Sequence, residues 1–282
     1  GKLTIKDKKY GGIFDIIKTG RRLLIINRIE IEEYLKGVVP MEMPSSWNME
    51  ALKAQSVIAR TYALYQKKAN KERRFDLVST TGDQVYGGKN GETVRTNKAV
   101  SDTKGLILTY NGGIILSVYH STSAGPTEDA EEIWSKNLPY LKGVSCPFDK
   151  ESPFYSWDKI IRIEDVEDRL KRIYPMGTIA SITPYLRSKM GRIMGIRIIH
   201  SKGELFLKGG EFRRIVGNTF LPSTKFEIVE MNDDIHLSGH GAGHGLGLCQ
   251  WGAKGMADLG YRFNEILKHY YPGTKIVRRR RR

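Results

Sequence analysis

Short apolar runs separated by turn residues open the chain. They lie at residues 12–17 and 23–26 and are typical of β-strands. A helical spacing follows at Ile29, Ile31, Tyr34 and Leu35. We expect a short helix here, with Asn27 as its N-cap and an end near Gly37.

The longest amphipathic pattern predicts a helix over residues 49–68. Asn48 suits the N-cap, and Glu50 places a negative charge in the first turn, where the helix dipole favours it. The apolar stripe, at three- and four-residue spacing, consists of Ala51, Ala54, Ile58, Tyr62 and Tyr65. Polar side chains interleave with it at Lys53, Gln55 and Arg60. Their simplest interpretation is a solvated helix face.

A β-hairpin is the clearest local prediction. Strand-forming runs at residues 106–110 and 113–119 flank Asn111 and Gly112, which both accept positive φ in a tight turn. The hairpin would deliver residues 120–125, HSTSAG, from the end of its second strand. A rigid scaffold presents binding groups well at such a position.

The rest of the chain alternates short strands and helices. We expect strands at residues 160–163, 195–200, 204–207, 226–230 and 235–238, and helices at residues 93–104, 166–174, 209–216, 250–259 and 263–271. This mixture predicts an α+β fold, with a main core, a smaller inserted lobe and a substrate cleft between them. The expected divisions are a core at 1–144, the lobe at 145–235, a Gly/His-rich loop with helices returning to the core at 236–277, and a disordered basic tail at 278–282.

The net charge of +15, from 46 Lys and Arg against 31 Asp and Glu, predicts a polyanionic partner or negatively charged surroundings. No helix-turn-helix, zinc-finger or RNP pattern accompanies this charge, so we do not expect nucleic acid as the partner. Two cysteines, Cys146 and Cys249, are too few for a disulfide framework and are expected as buried thiols, with one bridge left open. No apolar run approaches the roughly 20 residues of a membrane span.

One carboxylate stands between two prolines, in the stretch VVPMEMPSSW at residues 38–47. Pro40 and Pro44 fix φ and disfavour helix at the residues before them, so the stretch is expected to be a stiff loop. Its other side chains are largely apolar, and such surroundings raise the pKa of a carboxyl group toward use as a general acid. Glu42 is therefore the candidate acid, and a solvated loop residue is the alternative.

Alternating glycines mark residues 239–253, GHGAGHGLGLCQWGA. Glycine accepts positive φ and lets another segment approach closely, so a shaped loop is expected. His240 and His244 have the spacing that binds zinc on a helix, but the glycines around them argue against a helix. Hydrogen bonding to a polymer, or orienting Glu42, is the favoured role. Metal ligation with His120 or a cysteine as a third ligand stays open.

Taken together, these motifs resemble the SpoIID/LytB family. The likeness rests on VVPMEMPSSW, on ALKAQSVIARTYA at residues 51–63, on HSTSAG and on the GHGAGHGLGLCQWGA loop, and it runs from about residue 23 to residue 275. The resemblance implies a lytic transglycosylase that cuts peptidoglycan glycan strands during engulfment of the forespore. It also implies a partner amidase, SpoIIP, that strips stem peptides beforehand, and an extracytoplasmic protein at the sporulation septum. There it would belong to a membrane-protein complex, with an amino-terminal membrane anchor that this chain lacks.

The resemblance also assigns site residues. The catalytic glutamate of the family falls on Glu42, and its polar helix residues fall on Lys53, Gln55 and Arg60. The other substrate-binding candidates are Tyr86, His120, Ser121, Ser123, His240, His244 and Gln250. Some relatives hold zinc with Cys and His after the long helix, but residues 71–88 contain neither type, so we expect no metal and no other cofactor.

A single acid suffices for this chemistry. Ordinary glycosidases use two carboxylates, whereas a transglycosylase replaces water with the C6 hydroxyl of the muramic acid. We expect Glu42 to protonate the bridging oxygen and then accept the C6 proton as a 1,6-anhydro ring closes. Lys53 and Arg60 would neutralise charge, while Gln55, Ser121, Ser123 and Tyr86 would hold hydroxyl and N-acetyl groups. Two alternatives remain: a non-catalytic peptidoglycan-binding scaffold, and a zinc-dependent hydrolase built on the histidines.

Overall fold

A computed structural model describes residues 2–5 and 7–279. The chain forms two compact units, which are Gly1–Val118 together with Ala253–Arg282, and Tyr119–Gly252. Helices and small, mainly antiparallel sheets confirm the predicted α+β class. The stretch expected as a smaller lobe, 145–235, lies within the second unit.

Within the described residues the elements follow in chain order. The helices are α1 (Ile31–Glu42), α2 (Met49–Ala69), α3 (Val94–Asp102), α4 (Ala130–Trp134), α5 (Ile163–Lys171), α6 (Gly209–Val216), α7 (Gln250–Asp258) and α8 (Phe263–Tyr270). The strands are β1 (Lys2–Ile5), β2 (Lys8–Gly11), β3 (Ile13–Thr19), β4 (Arg22–Arg28), β5 (Leu106–Tyr110), β6 (Gly113–Ile114), β7 (Tyr119–His120), β8 (Trp157–Arg162), β9 (Ile179–Arg187), β10 (Ile193–His200), β11 (Gly203–Lys208), β12 (Phe226–Met231), β13 (Asp234–Gly239), β14 (Leu248–Cys249) and β15 (Lys275–Arg278).

Helix α2 is the centre of the first unit. Asn48 caps it as predicted, accepting the backbone N–H of Glu50 at 3.0 Å. The helix packs against α1, α3, α8 and β5, so its burial extends well beyond the predicted apolar stripe. Strands β15, β5 and β6 form an antiparallel sheet in that order, while β1 with β2 and β3 with β4 form separate hairpins.

Helix α1 begins later than the sequence predicts. Its N-cap is Glu30, whose carboxylate accepts the backbone N–H groups of Glu32 and Glu33 at 2.8 and 3.3 Å. Asn27, the expected cap, lies inside strand β4. The strand pairing with β3 claims that residue, so the prediction of the cap is wrong.

The end of α1 corrects the expected loop around Glu42. The helix does not stop near Gly37 but runs through Pro40 to Glu42. Val38 and Val39 are fully buried in a core cluster, and this burial outweighs the conformational bias that a proline imposes on the residue before it. The helix ends at Glu42 because Met43 precedes Pro44, which disfavours a helical conformation there, and Met43 is extended with φ −134° and ψ 137°. The acid is therefore the last residue of a helix.

Two three-stranded antiparallel sheets form the core of the second unit, with strand orders β11-β10-β9 and β12-β13-β8. The hairpin of β10 and β11 and helix α6 match their predictions. Strand β9 was not predicted. It contains Pro184, which argues against a central strand, and β9 lies at an edge of its sheet, where proline is tolerated.

The predicted hairpin at residues 106–119 is only partly formed. Asn111 and Gly112 adopt positive φ, 48° and 78°, and join β5 to β6 as expected. The expected second strand stops at Ile114, however, and β7 pairs in parallel with β14 instead. His120 therefore ends β7 and residues 121–125 follow it, beside a strand that lies in the Gly/His-rich stretch.

The carboxyl terminus is more ordered than a tail where the structure describes it. Arg278 ends β15, and the backbone N–H of Arg279 donates to the carbonyl of Gly105 at 2.8 Å. The remaining tail positions, 280–282, lie outside the described residues. Across the described ranges, no helix is long and apolar enough to cross a membrane.

Candidate functional site

Glu42 is held at the end of α1 by the segment that follows α2 in sequence. It is half-buried, and its Oε1 accepts the backbone N–H of Val85 at 3.1 Å. The backbone N–H of Gly87 donates to the carbonyl of Gly37 at 2.9 Å, which ties the same segment to α1. These bonds fix both the helix end and the direction of the carboxyl group.

Tyr86 packs directly against the glycine of α1. A Cβ at Gly37 would lie 2.5 Å from the Tyr86 ring, so a side chain there would expel the tyrosine. The ring is buried, with Tyr34 and Tyr10 at centroid distances of 5.2 and 5.8 Å. Burial raises the pKa of Tyr86 to about 12, with smaller effects from nearby charges. Tyr86 therefore stays neutral and helps to build the wall of the site.

Tyr34 is the neutral neighbour of the candidate acid. Tyr34, Val38 and Glu42 lie at i, i+4 and i+8 on one face of α1. Burial raises the pKa of Tyr34, and the negative charges of Asp83 and Glu42 raise it further. Its hydroxyl donates to Oε1 of Gln84 at 3.3 Å. Tyr34 is therefore a protonated phenol on which the charges of two carboxylates act.

Asp83 brings a second carboxylate to this region. Its Oδ1 accepts the hydroxyl of Tyr62 at 2.8 Å and the amide of Gln66 at 3.2 Å, and its Oδ2 accepts the backbone N–H of Val78 at 2.8 Å. Sequence reasoning missed Asp83 because it stands among turn residues, and missed Tyr34 because the helix was expected to end near Gly37. A helix continued through the proline would have placed Tyr34 and Glu42 on one face.

Arg95 from α3 clamps the loop after Glu42. Its Nε donates to the carbonyl of Ser45 at 2.8 Å, and its Nη2 donates to the carbonyl of Trp47 at 2.9 Å. The loop then ends at Asn48, whose side-chain amide donates to the carbonyl of Ala257 at 3.0 Å. The candidate acid is therefore followed by a fixed loop.

The predicted polar residues of α2 occupy different environments. Lys53 lies near the surface and forms ion pairs with Glu50 at 2.8 Å and Asp102 at 3.8 Å. Gln55 and Arg60 are buried, so neither lies on a solvated face.

All five N–H groups of Arg60 donate hydrogen bonds inside the protein. It forms a bidentate ion pair with Glu32, from Nε to Oε1 at 3.0 Å and from Nη2 to Oε2 at 2.7 Å. The other donors reach the carbonyls of Ser56, Val100 and Leu106 at 3.1 to 3.3 Å. This geometry favours a positioning role for Arg60, because no donor remains for a ligand.

In the second unit, His120 and Ser123 form a buried pair. Nδ1 of His120 lies 3.0 Å from the carbonyl of Leu246 and Nε2 lies 2.8 Å from Oγ of Ser123. Because a carbonyl only accepts, Nδ1 carries the proton and the serine hydroxyl donates to Nε2. Burial lowers the pKa of His120 well below its usual value, and the neighbouring His244 and Arg192 lower it further.

His244 lies beside His120, with ring centroids 5.6 Å apart. Its Nδ1 accepts the backbone N–H of Leu246 at 3.0 Å. Burial, followed by the charge of Arg192, lowers the pKa of His244 to about 4. Both imidazoles are therefore neutral near pH 7 and serve as fixed hydrogen-bonding groups.

The glycines of the loop permit this close packing. Gly243 has a φ of +95°, and a Cβ there would lie 2.7 Å from Cβ of His120. The loop also pairs with the segment after β7, since Thr122 and Ala242 exchange backbone hydrogen bonds at 3.1 and 2.9 Å. The sequence prediction of a shaped loop is thus explained by the neighbour that it must admit.

The remaining candidates of the second unit are spread along its surface and loops. His240 is exposed, and its Nδ1 lies 3.0 Å from the carbonyl of Tyr155. Ser121 is half-buried beside Thr122, with their hydroxyl oxygens 3.2 Å apart, and Gln250 begins α7. The structure therefore brings together His120, Ser123 and His244, but not His240.

Metal-ligating side chains converge elsewhere. Among the described residues, His240 and His244 form no group of three His, Cys, Asp or Glu ligands, whereas Cys146, Asp149 and Cys249 do. All three are buried in the second unit.

Family models and known proteins of similar sequence match this chain. A family model described as stage II sporulation protein matches residues 19–110, and a model for a domain of unknown function matches residues 141–247. Stage II sporulation protein D of Bacillus subtilis is 36% identical over 270 residues, covering 89% of this chain and 75% of that protein. An uncharacterized protein of Brachyspira hyodysenteriae is 36% identical over 277 residues, covering 97% and 74%. The amidase enhancer of Bacillus subtilis is 32% identical over 292 residues, covering 86% of this chain and 40% of that protein.

Proposed function

This chain belongs to the stage II sporulation protein D family, and we propose that it acts in cell-wall degradation as a lytic transglycosylase that cleaves the MurNAc–GlcNAc bond of peptidoglycan. The observation that carries the proposal is the placement of Glu42. This carboxyl group ends a helix, is half-buried and is held by the Val85 N–H, and its charge acts on the largely buried, neutral phenol of Tyr34. A half-buried, oriented carboxyl group is what a general acid requires.

The reaction runs in two proton transfers. Glu42, initially protonated, gives its proton to the bridging glycosidic oxygen, and the bond from that oxygen to C1 of MurNAc breaks. The resulting carboxylate then takes the proton of the MurNAc C6 hydroxyl while the C6 oxygen bonds to C1. The products are a 1,6-anhydro-MurNAc end and a free GlcNAc hydroxyl, and Glu42 regains its proton. The nucleophile belongs to the sugar itself, so proximity replaces a second carboxylate.

The supporting residues divide into two groups. Arg60, Tyr86 and Arg95 position the framework around Glu42, as their burial and hydrogen bonds favour. The residues that we assign to sugar contacts have exposed or half-buried side chains and are Lys53, Ser121, His240 and His244. The buried candidates Gln55, His120, Ser123 and Gln250 are assigned to positioning these groups. The neutral state of His244 suits contacts with uncharged hydroxyl and N-acetyl groups.

Partners and location follow the same proposal. One relative is named an amidase enhancer, so we propose that an amidase prepares peptide-stripped strands for this protein. Two relatives are named for sporulation, which suggests action outside the cytoplasm at a sporulation septum, where an anchor or a membrane-protein complex would hold the protein.

The decisive experiment uses purified glycan strands stripped of their stem peptides. Mass spectrometry of the released fragments should show 1,6-anhydro-MurNAc ends. Replacing Glu42→Gln should lower their release by about 10²–10⁴-fold, the usual contribution of a general acid. Glu33→Gln is the matched control, because this glutamate lies on the same helix with its side chain 45% exposed. Reducing ends would instead indicate hydrolysis, and equal release by both variants would remove Glu42 from the mechanism.

The net charge of +15 favours a second candidate, a non-catalytic scaffold that grips the anionic wall. In that case the wild-type protein would sediment with glycan strands and release nothing. Glu42→Gln would then bind as the wild-type protein does, and raised salt would weaken both equally.

A further inference from the structure

Two thiols and a carboxylate converge in the interior of the second unit. Cys146, Asp149 and Cys249 are at most 1% exposed, and one ligand atom from each lies within 4.8 Å of the others. The cysteines carry thiols rather than a disulfide. Sγ of Cys249 lies 3.3 Å from Oδ2 of Asp149.

These separations match a tetrahedral metal site. Zinc binds sulfur at about 2.3 Å and carboxylate oxygen at about 2.0–2.2 Å. A tetrahedron with those bonds places a sulfur and an oxygen ligand about 3.5 Å apart and two sulfurs about 3.8 Å apart. The observed 3.3 Å from Sγ of Cys249 to Oδ2 of Asp149, where the thiol donates a hydrogen bond to the carboxylate, is close to the first of these values.

The carboxylate of Asp149 is incompletely satisfied. Its Oδ2 accepts the backbone N–H groups of Ser123 and Ala124 at 2.9 and 2.8 Å, whereas Oδ1 has no hydrogen-bond partner among the described residues. A buried carboxylate oxygen without a partner is costly. A cation bound to the two sulfurs and to Oδ1 of Asp149 would satisfy it.

The surroundings of the Cys249 sulfur include groups that stabilise a negative charge on it. It accepts the backbone N–H groups of Ser123 and Gly252, each at 3.3 Å, and it immediately precedes the amino terminus of α7. Both features favour a thiolate. Burial and the neighbouring Cys146 and Asp149 raise the pKa of Cys249 instead. A divalent cation would be the largest local charge and would reverse that balance.

We propose that Cys146, Asp149 and Cys249 form a binding site for a thiophilic divalent cation of the zinc class. On binding, the two thiols release their protons to solvent, and both sulfurs coordinate as thiolates with one oxygen of Asp149. Three protein ligands leave the fourth position of a tetrahedral site to a water or a backbone carbonyl. The complex carries a single negative charge, and the charge of Arg192, which is paired with Glu128 at 3.4 Å, also interacts with Cys249.

The site would join three segments: the loop after β7, through the contacts of Asp149 with Ser123 and Ala124, the turn at residues 146–149, and β14. Its role is to fix the residues that follow β7, and it does not depend on the proposed transglycosylase activity. A disulfide between Cys146 and Cys249 would join two of these segments, but it would leave Oδ1 of Asp149 unpaired. The carboxylate therefore favours the cation over the disulfide.

The first test uses the wild-type chain without a polyhistidine tag, reduced and freed of metal with a chelator. Equilibrium dialysis against Zn²⁺, followed by elemental analysis, should give one ion per chain. Co²⁺ in its place should produce a sulfur-to-cobalt charge-transfer band and the intense visible bands of tetrahedral cobalt. Absence of both, or Co²⁺ spectra without sulfur ligation, would overturn the proposal without any variant being made.

The second test locates the site. Cys249→Ser and Asp149→Asn should each weaken Zn²⁺ binding by at least tenfold, while His240→Ala should bind as the wild-type chain does. Thermal unfolding of each metal-free variant checks that it folds. Zinc should also raise the melting temperature of the wild-type chain but not that of Cys249→Ser. Binding that follows His240, or a quantitative Cys146–Cys249 disulfide in the untreated protein, would contradict the assignment.

Discussion

Each unit buries an arginine beside a glutamate, and the two pairs differ in how well they are satisfied. In the first unit, Arg60 holds Glu32 through two hydrogen bonds of 3.0 and 2.7 Å. In the second, Nε of Arg192 lies 3.4 Å from Oε1 of Glu128, and Oε2 of Glu128 has no hydrogen-bond partner among the described residues. Both arginines are nearly fully buried, whereas the side chain of Glu32 is 12% exposed against 1% for Glu128.

The electrostatics of the second pair follow from its geometry. Burial lowers the pKa of Arg192 to about 10 and raises the pKa of Glu128. Such perturbed groups concentrate at functional sites, where polar side chains are arranged for a ligand rather than for stability. The contrast indicates that the buried Arg60–Glu32 ion pair stabilises the first unit. In the second unit, incompletely hydrogen-bonded polar groups lie around His120 and His244.

Removing the Arg60–Glu32 ion pair should have the largest effect on the free energy of unfolding. Arg60→Met removes five hydrogen bonds and leaves the largely buried carboxylate of Glu32 with the backbone N–H of Gly105 but without its cation, which should cost about 3–5 kcal/mol. Urea unfolding should show a midpoint lower by roughly 1–3 M. Lys53→Met is the control on the same helix, because its ion pairs lie near the surface and should contribute less than about 1 kcal/mol. Equal losses in the two variants would refute the distinction.

The neutral histidines should make the second unit less stable at acidic pH. The folded pKa of His244 is about 4, below the usual value of about 6.5 in an unfolded chain. The unfolded state therefore takes up a proton that the folded state refuses, and stability is lost as pH falls from about 6.5 to 4. One such group accounts for about 3 kcal/mol over that window.

Urea unfolding at pH 7 and pH 4.5, compared with His244→Gln, isolates this contribution. The raised pKa of Glu128 acts in the opposite direction, since a folded carboxyl group that holds its proton more tightly gains stability as pH falls. Both proteins contain Glu128, so its effect cancels in the comparison. A variant that loses as much stability in acid as the wild-type chain would show that His244 is not the responsible group.

The sequence predicts local elements well where packing and pattern agree. Helix α2 with its Asn48 cap, the β10–β11 hairpin and helix α6 all follow from spacing and turn residues. It fails where tertiary contacts override local rules. The burial of Val38 and Val39 carries α1 through Pro40, and the pairing of β7 with β14 takes residues that the hairpin rule assigned to β6.

The candidate site divides in the same way. Glu42 and the Gly/His-rich loop are visible as motifs, because proline and glycine restrict or free the backbone in a readable manner. Tyr34, Asp83 and the Cys146–Asp149–Cys249 cluster are not visible, since each depends on contacts between residues distant in sequence. Arg60 was visible as a polar residue on α2, but its burial against Glu32 depends on how α1 packs.

The packing around Arg192 can be tested with a smaller change. Gly243 supplies a carbonyl to Arg192 at 2.9 Å, and Gly243→Ala would place a Cβ 2.7 Å from Cβ of His120. We expect a loss of about 1–3 kcal/mol beyond the strain of positive φ alone. Gly191→Ala measures that strain, because Gly191 has a φ of +85° with nothing within 4 Å of an added Cβ in the same unit. If urea unfolding shows the same loss for Gly243→Ala and Gly191→Ala, the loop around Gly243 can shift to accommodate the added Cβ.

The smallest expected effect comes from Tyr34, and it tests whether this largely buried phenol influences the protonation of Glu42. Tyr34→Phe removes the hydrogen bond to Gln84 and should cost about 0.5–1.5 kcal/mol. The phenol that it removes interacts electrostatically with the charges of Glu42 and Asp83. Without this polar neighbour, the charged form of Glu42 is less well solvated, so the basic limb of the pH–rate profile should move to higher pH. Release of anhydro-MurNAc ends between pH 4 and 9 measures it, with Tyr65→Phe on α2 as the control. An unchanged profile with reduced stability would leave Tyr34 as a packing residue alone.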